Sequence, residues 1–106
     1  MMEISSLPLT IKIIHEPEAK GSEYVAYSPE FDIASCGATV EEARENLREA
    51  IELVVESCAE EGTLDLLLEE AGFKPEKKGW RMPQISFEPF FMPVPEVLKG
   101  RLWAAA

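Results

Sequence analysis

A capped amphipathic segment at residues 39–62 constrains the fold of this chain more than any other feature. Thr39-Val40-Glu41-Glu42 is a capping box, in which the Thr39 hydroxyl accepts a hydrogen bond from the Glu42 amide and the Glu42 side chain reaches back. Gly62 supplies the left-handed conformation that commonly ends a helix. Apolar residues recur between these ends at steps of three and four: Val40, Ala43, Leu47, Ala50, Ile51, Val54 and Cys58. The pattern predicts one long helix with a single apolar face.

Three short segments before this helix predict β-strands. Residues 7–15 alternate between apolar and other side chains, as a strand with one buried face does. The segments 24–28 and 33–36 follow, separated by Pro29-Glu30-Phe31, where proline cannot donate to a strand ladder. Consecutive strands with short links predict an antiparallel meander. Because neither the meander nor the helix can bury its apolar face alone, we predict an α+β fold in which the two pack together.

The chain changes in character at Gly72, which closes a second, shorter helix that begins at Thr63. Leu64, Leu67, Leu68 and Ala71 share one face of that helix. Beyond it the chain is rich in proline and aromatic residues, and the alternation at residues 84–88 predicts a fourth strand. We therefore divide the chain into an α+β domain at 1–72 and a C-terminal arm at 73–106. The arm holds apolar side chains that must be covered on the same domain or by a sister chain, and we favour a homodimer: Trp80, Phe87, Phe90, Phe91, Met92 and Trp103.

The charge balance excludes several classes of protein. Twenty acidic residues against ten Lys and Arg give a net charge of −10, which repels nucleic acid and anionic membranes and favours basic partners. We find no apolar run long enough to span a membrane and no basic segment followed by an apolar core at the start, so we predict a cytoplasmic protein. Two cysteines and one histidine do not make a zinc site. Cys36 and Cys58 are interpreted as small buried hydrophobes, and no metal or cofactor is predicted.

Several of these segments, in this order, resemble HicB-like antitoxin domains. The shared pattern is an aromatic-led strand, a turn of proline, acid and apolar residue, a Gly-x-Thr helix start, and then Glu-Ala, Asn and Ala-Ile along the helix. It covers roughly residues 11–61, in the segments Tyr24-Val25-Ala26-Tyr27-Ser28-Pro29-Glu30-Phe31-Asp32, Gly37-Ala38-Thr39-Val40-Glu41-Glu42-Ala43, Asn46-Leu47 and Glu49-Ala50-Ile51.

The resemblance implies a partial ribonuclease H-like fold, β-β-β-α-(α)-β, whose last strand returns beside the first. It also implies an antitoxin that binds and neutralises HicA, a small basic toxin that cleaves RNA. Many members of the family add a C-terminal DNA-binding domain that represses their own operon. This chain departs from that pattern, because no helix pair with a basic recognition face can be drawn after Gly72, and we predict no direct nucleic acid binding by this chain alone.

The candidate site is a stripe of acids on the long helix. Its carboxylates recur at steps of four, four, three, four and four, and at this spacing like charges repel one another and cost the helix stability: Glu41, Glu45, Glu49, Glu52, Glu56 and Glu60. The stripe is either a solvated face or a docking surface for a basic toxin. We predict partner contacts at Glu45, Glu49, Glu52 and Glu56, followed by Tyr24, Tyr27 and Phe31, which also suit a core. The alternative is an orphan module that self-associates without a toxin.

No enzymatic activity is predicted. Enzymes of the ribonuclease H-like fold hold Mg²⁺ with carboxylates that converge from the first strand, the helix and a later strand. The first strand of this chain contains no acid, and Glu30 and Asp32 lie at a turn where a solvent-facing role is expected. His15 has no serine or cysteine near it in sequence that would suggest a nucleophile pair. No catalytic residue is therefore assigned.

Overall fold

The computed structural model describes residues 7–77 and 79–101, and in this part the chain has the α+β architecture predicted from sequence. Three strands lead into a long helix and a short helix, and two further strands follow. The elements in chain order are β1 (Lys12–His15), β2 (Tyr24–Ser28), β3 (Ile33–Gly37), α1 (Val40–Glu61), α2 (Leu64–Glu70), β4 (Lys74–Glu76), β5 (Gly79–Arg81) and a 3-10 turn at Glu96–Leu98. Among the helices of these residues, none combines the length and apolar character needed to cross a membrane.

The first three strands form the antiparallel meander, in the order β1-β2-β3. β1 is shorter than the predicted 7–15 because its partner strand ends early. Lys12 lies opposite Tyr27, and the same register puts Ile11 opposite Ser28, the last residue of β2, so residues before Ile11 have no strand residue to pair with. Asp32 closes that turn with a φ of +53°, a left-handed conformation that aspartate tolerates better than most side chains.

α1 begins and ends where the sequence predicts. The Thr39 hydroxyl accepts a hydrogen bond from the Glu42 amide at 3.0 Å. The reciprocal bond, which the Thr39 amide would donate to the Glu42 carboxylate, is not formed between these two described residues. Gly62 has a φ of +77°, and its amide donates to the carbonyl of Cys58. These caps satisfy backbone groups at the two ends, and the apolar stripe between them is buried or half-buried as expected.

One part of the core lies where α1 crosses β2 and β3. Ala26, Ala43 and Leu47 are fully buried there. The two layers approach closely at Gly37, because a Cβ atom at this position would lie 2.6 Å from the backbone nitrogen of Ala43. Glycine at the end of β3 is therefore required by the packing of α1 on the strand.

A second part of the core lies beneath α2. Phe31, Ala71 and Phe73 are its buried members, and Leu9 and Trp80 pack against them. The predicted face of α2 is confirmed, since Leu64, Leu67 and Leu68 are half-buried and Ala71 is buried. The turn after Ser28, the N-terminal segment and the C-terminal hairpin thus meet in one apolar cluster.

The C-terminal part differs from the sequence prediction. β4 and β5 pair antiparallel as a separate hairpin, and residues 84–88 form no strand. Within the described residues no strand pairs with the outer side of β1, so the return strand that the resemblance implies is not present there. Residues 82–95 have no regular secondary structure and carry exposed Phe87, Phe90 and Phe91. Trp103, also predicted to need cover, lies outside the described residues.

Candidate protein-interaction surface

The carboxylates of the predicted stripe lie on the side of α1 that faces away from the sheet. Ala43 and Leu47 define the buried side of the helix, and residues half a turn away from them face solvent. All four glutamates predicted to contact a partner are exposed: Glu45, Glu49, Glu52 and Glu56. We call this solvent-facing side, from Glu41 to Glu60, the acidic face.

Arg48 neutralises part of the acidic face. Its guanidinium forms salt bridges with Glu45, three residues earlier, and with Glu52, four residues later. The hydrogen bond from Arg48 lowers the pKa of the Glu45 carboxyl, and the same bond together with the charge of Glu45 raises the pKa of Arg48. Solvent screens exposed pairs of this kind, so they add little to stability. Their main effect is on charge, because two of the four predicted contact residues share one cation.

The acidic face is not balanced beyond Arg48. No Lys, Arg or His occurs between Arg48 and Lys74, and the acids in that interval are Glu49, Glu52, Glu56, Glu60, Glu61, Asp65, Glu69 and Glu70. The last turn of α1 has no basic residue, although a positive charge is favourable at that end of a helix dipole and a negative one is not. These uncompensated acids lower the stability of the helix, so the stability of the fold does not explain their presence.

An exposed leucine lies within the acidic face. Leu53 has 67% of its surface exposed, and it is one helical turn from Glu49 and from Glu56. Sequence reasoning missed this residue, because Leu53 falls outside the apolar stripe that marks the core. Its position off that stripe, among glutamates, was the available signal. Single exposed apolar side chains are common on protein surfaces, but at this position the neighbouring carboxylates would form the polar rim of a contact centred on Leu53.

The aromatic residues predicted to contact a partner lie in three different environments. Tyr24 is half-buried on the α1 side of the sheet, where its ring stacks on His15 with centroids 4.6 Å apart. Phe31 is buried in the cluster beneath α2 and is part of the core. Tyr27 lies on the opposite side of the sheet, and its hydroxyl donates to the Asp32 carboxylate at 2.8 Å. The structure does not bring these three residues together with the acidic face.

The sheet has a second side that α1 does not cover. Side chains alternate along a strand, and Ala26 faces α1, so its neighbours Val25 and Tyr27 face the other way. The strand register adds the residues opposite them to this uncovered side: Lys12, Ile14, Ala34 and Cys36. Cys36 is an exposed free thiol, so the expectation that both cysteines are buried is wrong for this one, whereas Cys58 is half-buried.

Glu30 has a structural partner instead of the solvent-facing role expected at the turn. Its carboxylate accepts hydrogen bonds from the backbone amide and the hydroxyl of Thr10, at 3.0 and 2.7 Å, and Ser28 lies 3.4 Å away. Partial burial raises the pKa of Glu30, but the hydrogen bonds from Thr10, from its own backbone amide and from Ser28 together outweigh it, so the net shift is downward. The turn after β2 thereby holds the N-terminal segment against the second core cluster.

Within residues 7–77 and 79–101, no three side chains of His, Cys, Asp or Glu are placed together to hold a metal ion. Comparison of the chain with models of known protein families, with curated proteins and with solved structures found no match.

Proposed function

We propose that this chain is a HicB-like antitoxin, a non-enzymatic cytoplasmic protein that binds and neutralises a small basic RNA-cleaving toxin of the HicA type. The observation that carries the proposal is the acidic face of α1, which presents exposed carboxylates around Leu53 and is followed by no Lys, Arg or His between Arg48 and Lys74. The order of motifs along the chain supplies the class of partner.

The charges on the acidic face suit capture of a basic protein. Opposite charges on two proteins steer their encounter and raise the association rate, and rim charges act mainly on that rate. Glu49 and Glu56 carry most of the effect, since Glu45 and Glu52 already share Arg48. Leu53, between them, contributes an apolar contact that slows dissociation.

Neutralisation requires only that the bound antitoxin cover the RNA-binding surface of the toxin. A toxin that cleaves RNA must present basic side chains to phosphates, and the acidic face competes for those side chains. The antitoxin needs no catalytic residue and no cofactor for this. It needs exposed carboxylates on a rigid support, which α1 provides through its packing on β2 and β3.

The test uses a short reading frame for a small basic protein beside the gene for this chain. Expression of that neighbour alone should arrest growth, and co-expression of this chain should relieve the arrest. Purified chain should also inhibit RNA cleavage by the neighbour in stoichiometric amounts. Toxicity that persists in the presence of folded chain would reject the proposal.

A pair of charge-reversed variants locates the surface. Glu49→Lys with Glu56→Lys should slow association with the toxin by at least about tenfold at low salt. The matched control is Glu16→Lys with Glu18→Lys, which changes the net charge equally on the exposed loop before β2. Equal slowing by both variants would show that total charge matters and the acidic face does not.

An orphan module that self-associates is the second candidate. It is favoured by the exposed aromatic residues of the arm, which the acidic face does not explain. Self-association with no loss of RNA cleavage by the neighbouring toxin is the result expected of such a module.

A further inference from the structure

We propose that residues 84–88 of one copy of this chain add as a strand to the free edge of β1 in a second copy, and that the exchange is reciprocal. This inference concerns assembly of the chain with itself, and it does not depend on the toxin.

The arm has the sequence of a strand without the structure of one. Ile85 and Phe87 alternate with polar residues in Gln84-Ile85-Ser86-Phe87-Glu88, and Pro83 and Pro89 limit the segment at both ends. Residues 83–94 make no backbone hydrogen bond with any other described residue. Phe87 is 82% exposed. A segment with unpaired backbone and one apolar side is suited to pair with an exposed strand edge.

β1 offers such an edge. Among residues 7–77 and 79–101 it pairs with β2 on one side and with no strand on the other, and α1 lies over β2 and β3 instead of β1. Ile11 and Ile13 consequently remain 42% and 37% exposed on the side of the sheet that α1 occupies. A strand beside β1 would extend the sheet and set Ile85 and Phe87 next to these two isoleucines.

The other edge of the sheet is less available. Asn46 of α1 donates from its side-chain amide to the carbonyl of Cys36 in β3, at 2.8 Å. That bond occupies one of the carbonyl groups that a strand added to β3 would use. Gly37 also holds α1 tightly against the end of β3. The choice between the edges therefore favours β1.

The distribution of charge along the chain favours a second copy of this chain as the partner of the β1 edge. Two chains of net charge −10 repel each other, so they can meet only through segments that lack excess acid. Among the described segments that lack excess acid, residues 7–14, whose only charge is Lys12, contain the edge strand, and residues 82–95, whose only charge is Glu88, contain the unpaired arm. Their charges are opposite, and in the proposed pairing the polar side of the arm strand faces the same way as Lys12. The arm does not cover its own β1, as the exposure of Phe87 and Ile13 demonstrates.

The first test is sedimentation equilibrium of the full chain over a wide range of concentration. The expected result is a dimer, and a strictly monomeric chain would overturn the proposal. Phe87→Ser should weaken the dimer by about a hundredfold or more, because each dimer buries two copies of a side chain whose full burial corresponds to at least about a tenfold change. Val97→Ser, at another exposed position of the arm, is the matched control and should leave the dimer unchanged.

The second test swaps the two charges. Lys12→Glu and Glu88→Lys should each weaken the dimer, and the double variant should recover most of the loss. All these positions are exposed, so each variant should keep the circular dichroism spectrum of the original chain. Additive weakening in the double variant would mean that Lys12 and Glu88 are not neighbours across the interface and would overturn the pairing.

Discussion

The Glu30 carboxylate holds Thr10 through both of its oxygens, one bonded to the backbone amide and the other to the hydroxyl. The two residues are twenty positions apart in sequence, and their contact joins the turn after β2 to the segment before β1. This contact keeps Leu9 in place against Phe31 and Phe73.

Glu30→Gln should lower the free energy of unfolding by about 1–2 kcal/mol at neutral pH, because hydrogen bonds to a charged group contribute about 1.5–3 kcal/mol and the amide keeps part of the contact. The pKa of Glu30 is lowered in the folded state, so its contribution is complete above the pKa of the unfolded carboxyl, about 4.3. It decreases as the pH falls through the lower folded pKa. Denaturant titrations at a series of pH values measure this.

The control for that series is Glu16→Gln, on an exposed loop. We expect it to leave the low-pH decrease in stability unchanged, whereas Glu30→Gln should make the decrease shallower. Parallel pH profiles for the original chain and Glu30→Gln would contradict the role given to Thr10.

Gly37→Ala should destabilise the protein by about 3 kcal/mol or more, at or above the upper end of the usual cost of overpacking. The added Cβ would lie 2.6 Å from the Ala43 nitrogen and 2.9 Å from the Glu42 carbonyl carbon, and these backbone atoms of α1 cannot yield easily. Gly21→Ala is the control, with a positive φ but nothing within 4 Å, and it should cost only about 1–2 kcal/mol. Thermal unfolding distinguishes the two, and equal losses would show that α1 can shift away from β3.

Leu47→Ala and Leu53→Ala form a matched pair on one helix. Leu47 is fully buried, and its truncation should cost about 2–5 kcal/mol. Leu53 is largely exposed, and its truncation should change the stability by less than about 0.5 kcal/mol. If the acidic face is the toxin surface, only Leu53→Ala combines unchanged stability with faster dissociation of the complex. An unchanged dissociation rate would remove Leu53 from that surface.

The contact between Tyr27 and Asp32 should be visible in a tyrosine titration. The hydrogen bond to Asp32, with a small contribution from burial and from the charges of Asp32 and Glu30, raises the pKa of Tyr27. Asp32→Asn keeps a residue that tolerates the left-handed conformation but removes the charge, so the pKa of Tyr27 should fall. Ultraviolet absorbance against pH measures the change, with Tyr27→Phe identifying which transition belongs to this residue.

The helices were predicted well because the residues that specify them are close together in sequence. Thr39, Gly62 and the apolar stripe between them specify α1 without reference to the rest of the chain, and the same holds for β2. The short β1 was not predictable from its own alternation, since its length depends on where β2 ends. The pairing of β4 with β5 was missed for a similar reason: Lys74-Pro75-Glu76 has no apolar alternation, and Trp80 packs against the cluster around Phe73.

The candidate site was predictable in part. The spacing of the glutamates predicted a common exposed face, because helical geometry alone decides it. Phe31 and Tyr24 could not be assigned by pattern, since an aromatic residue beside a turn suits a core as well as a surface. The bond between Glu30 and Thr10 depends on how two distant segments meet, and nothing in either segment indicates it.

The close approach at Gly37 and the position of α1 support the two edges of the sheet differently. α1 packs on β3 and β2 and leaves β1 without a helix over it. A strand with few buried apolar contacts opens locally more easily than one in the core. We therefore expect the amide hydrogens of β1 to exchange with solvent sooner than those of β2 in an isolated chain, and to become protected whenever a neighbour covers that edge.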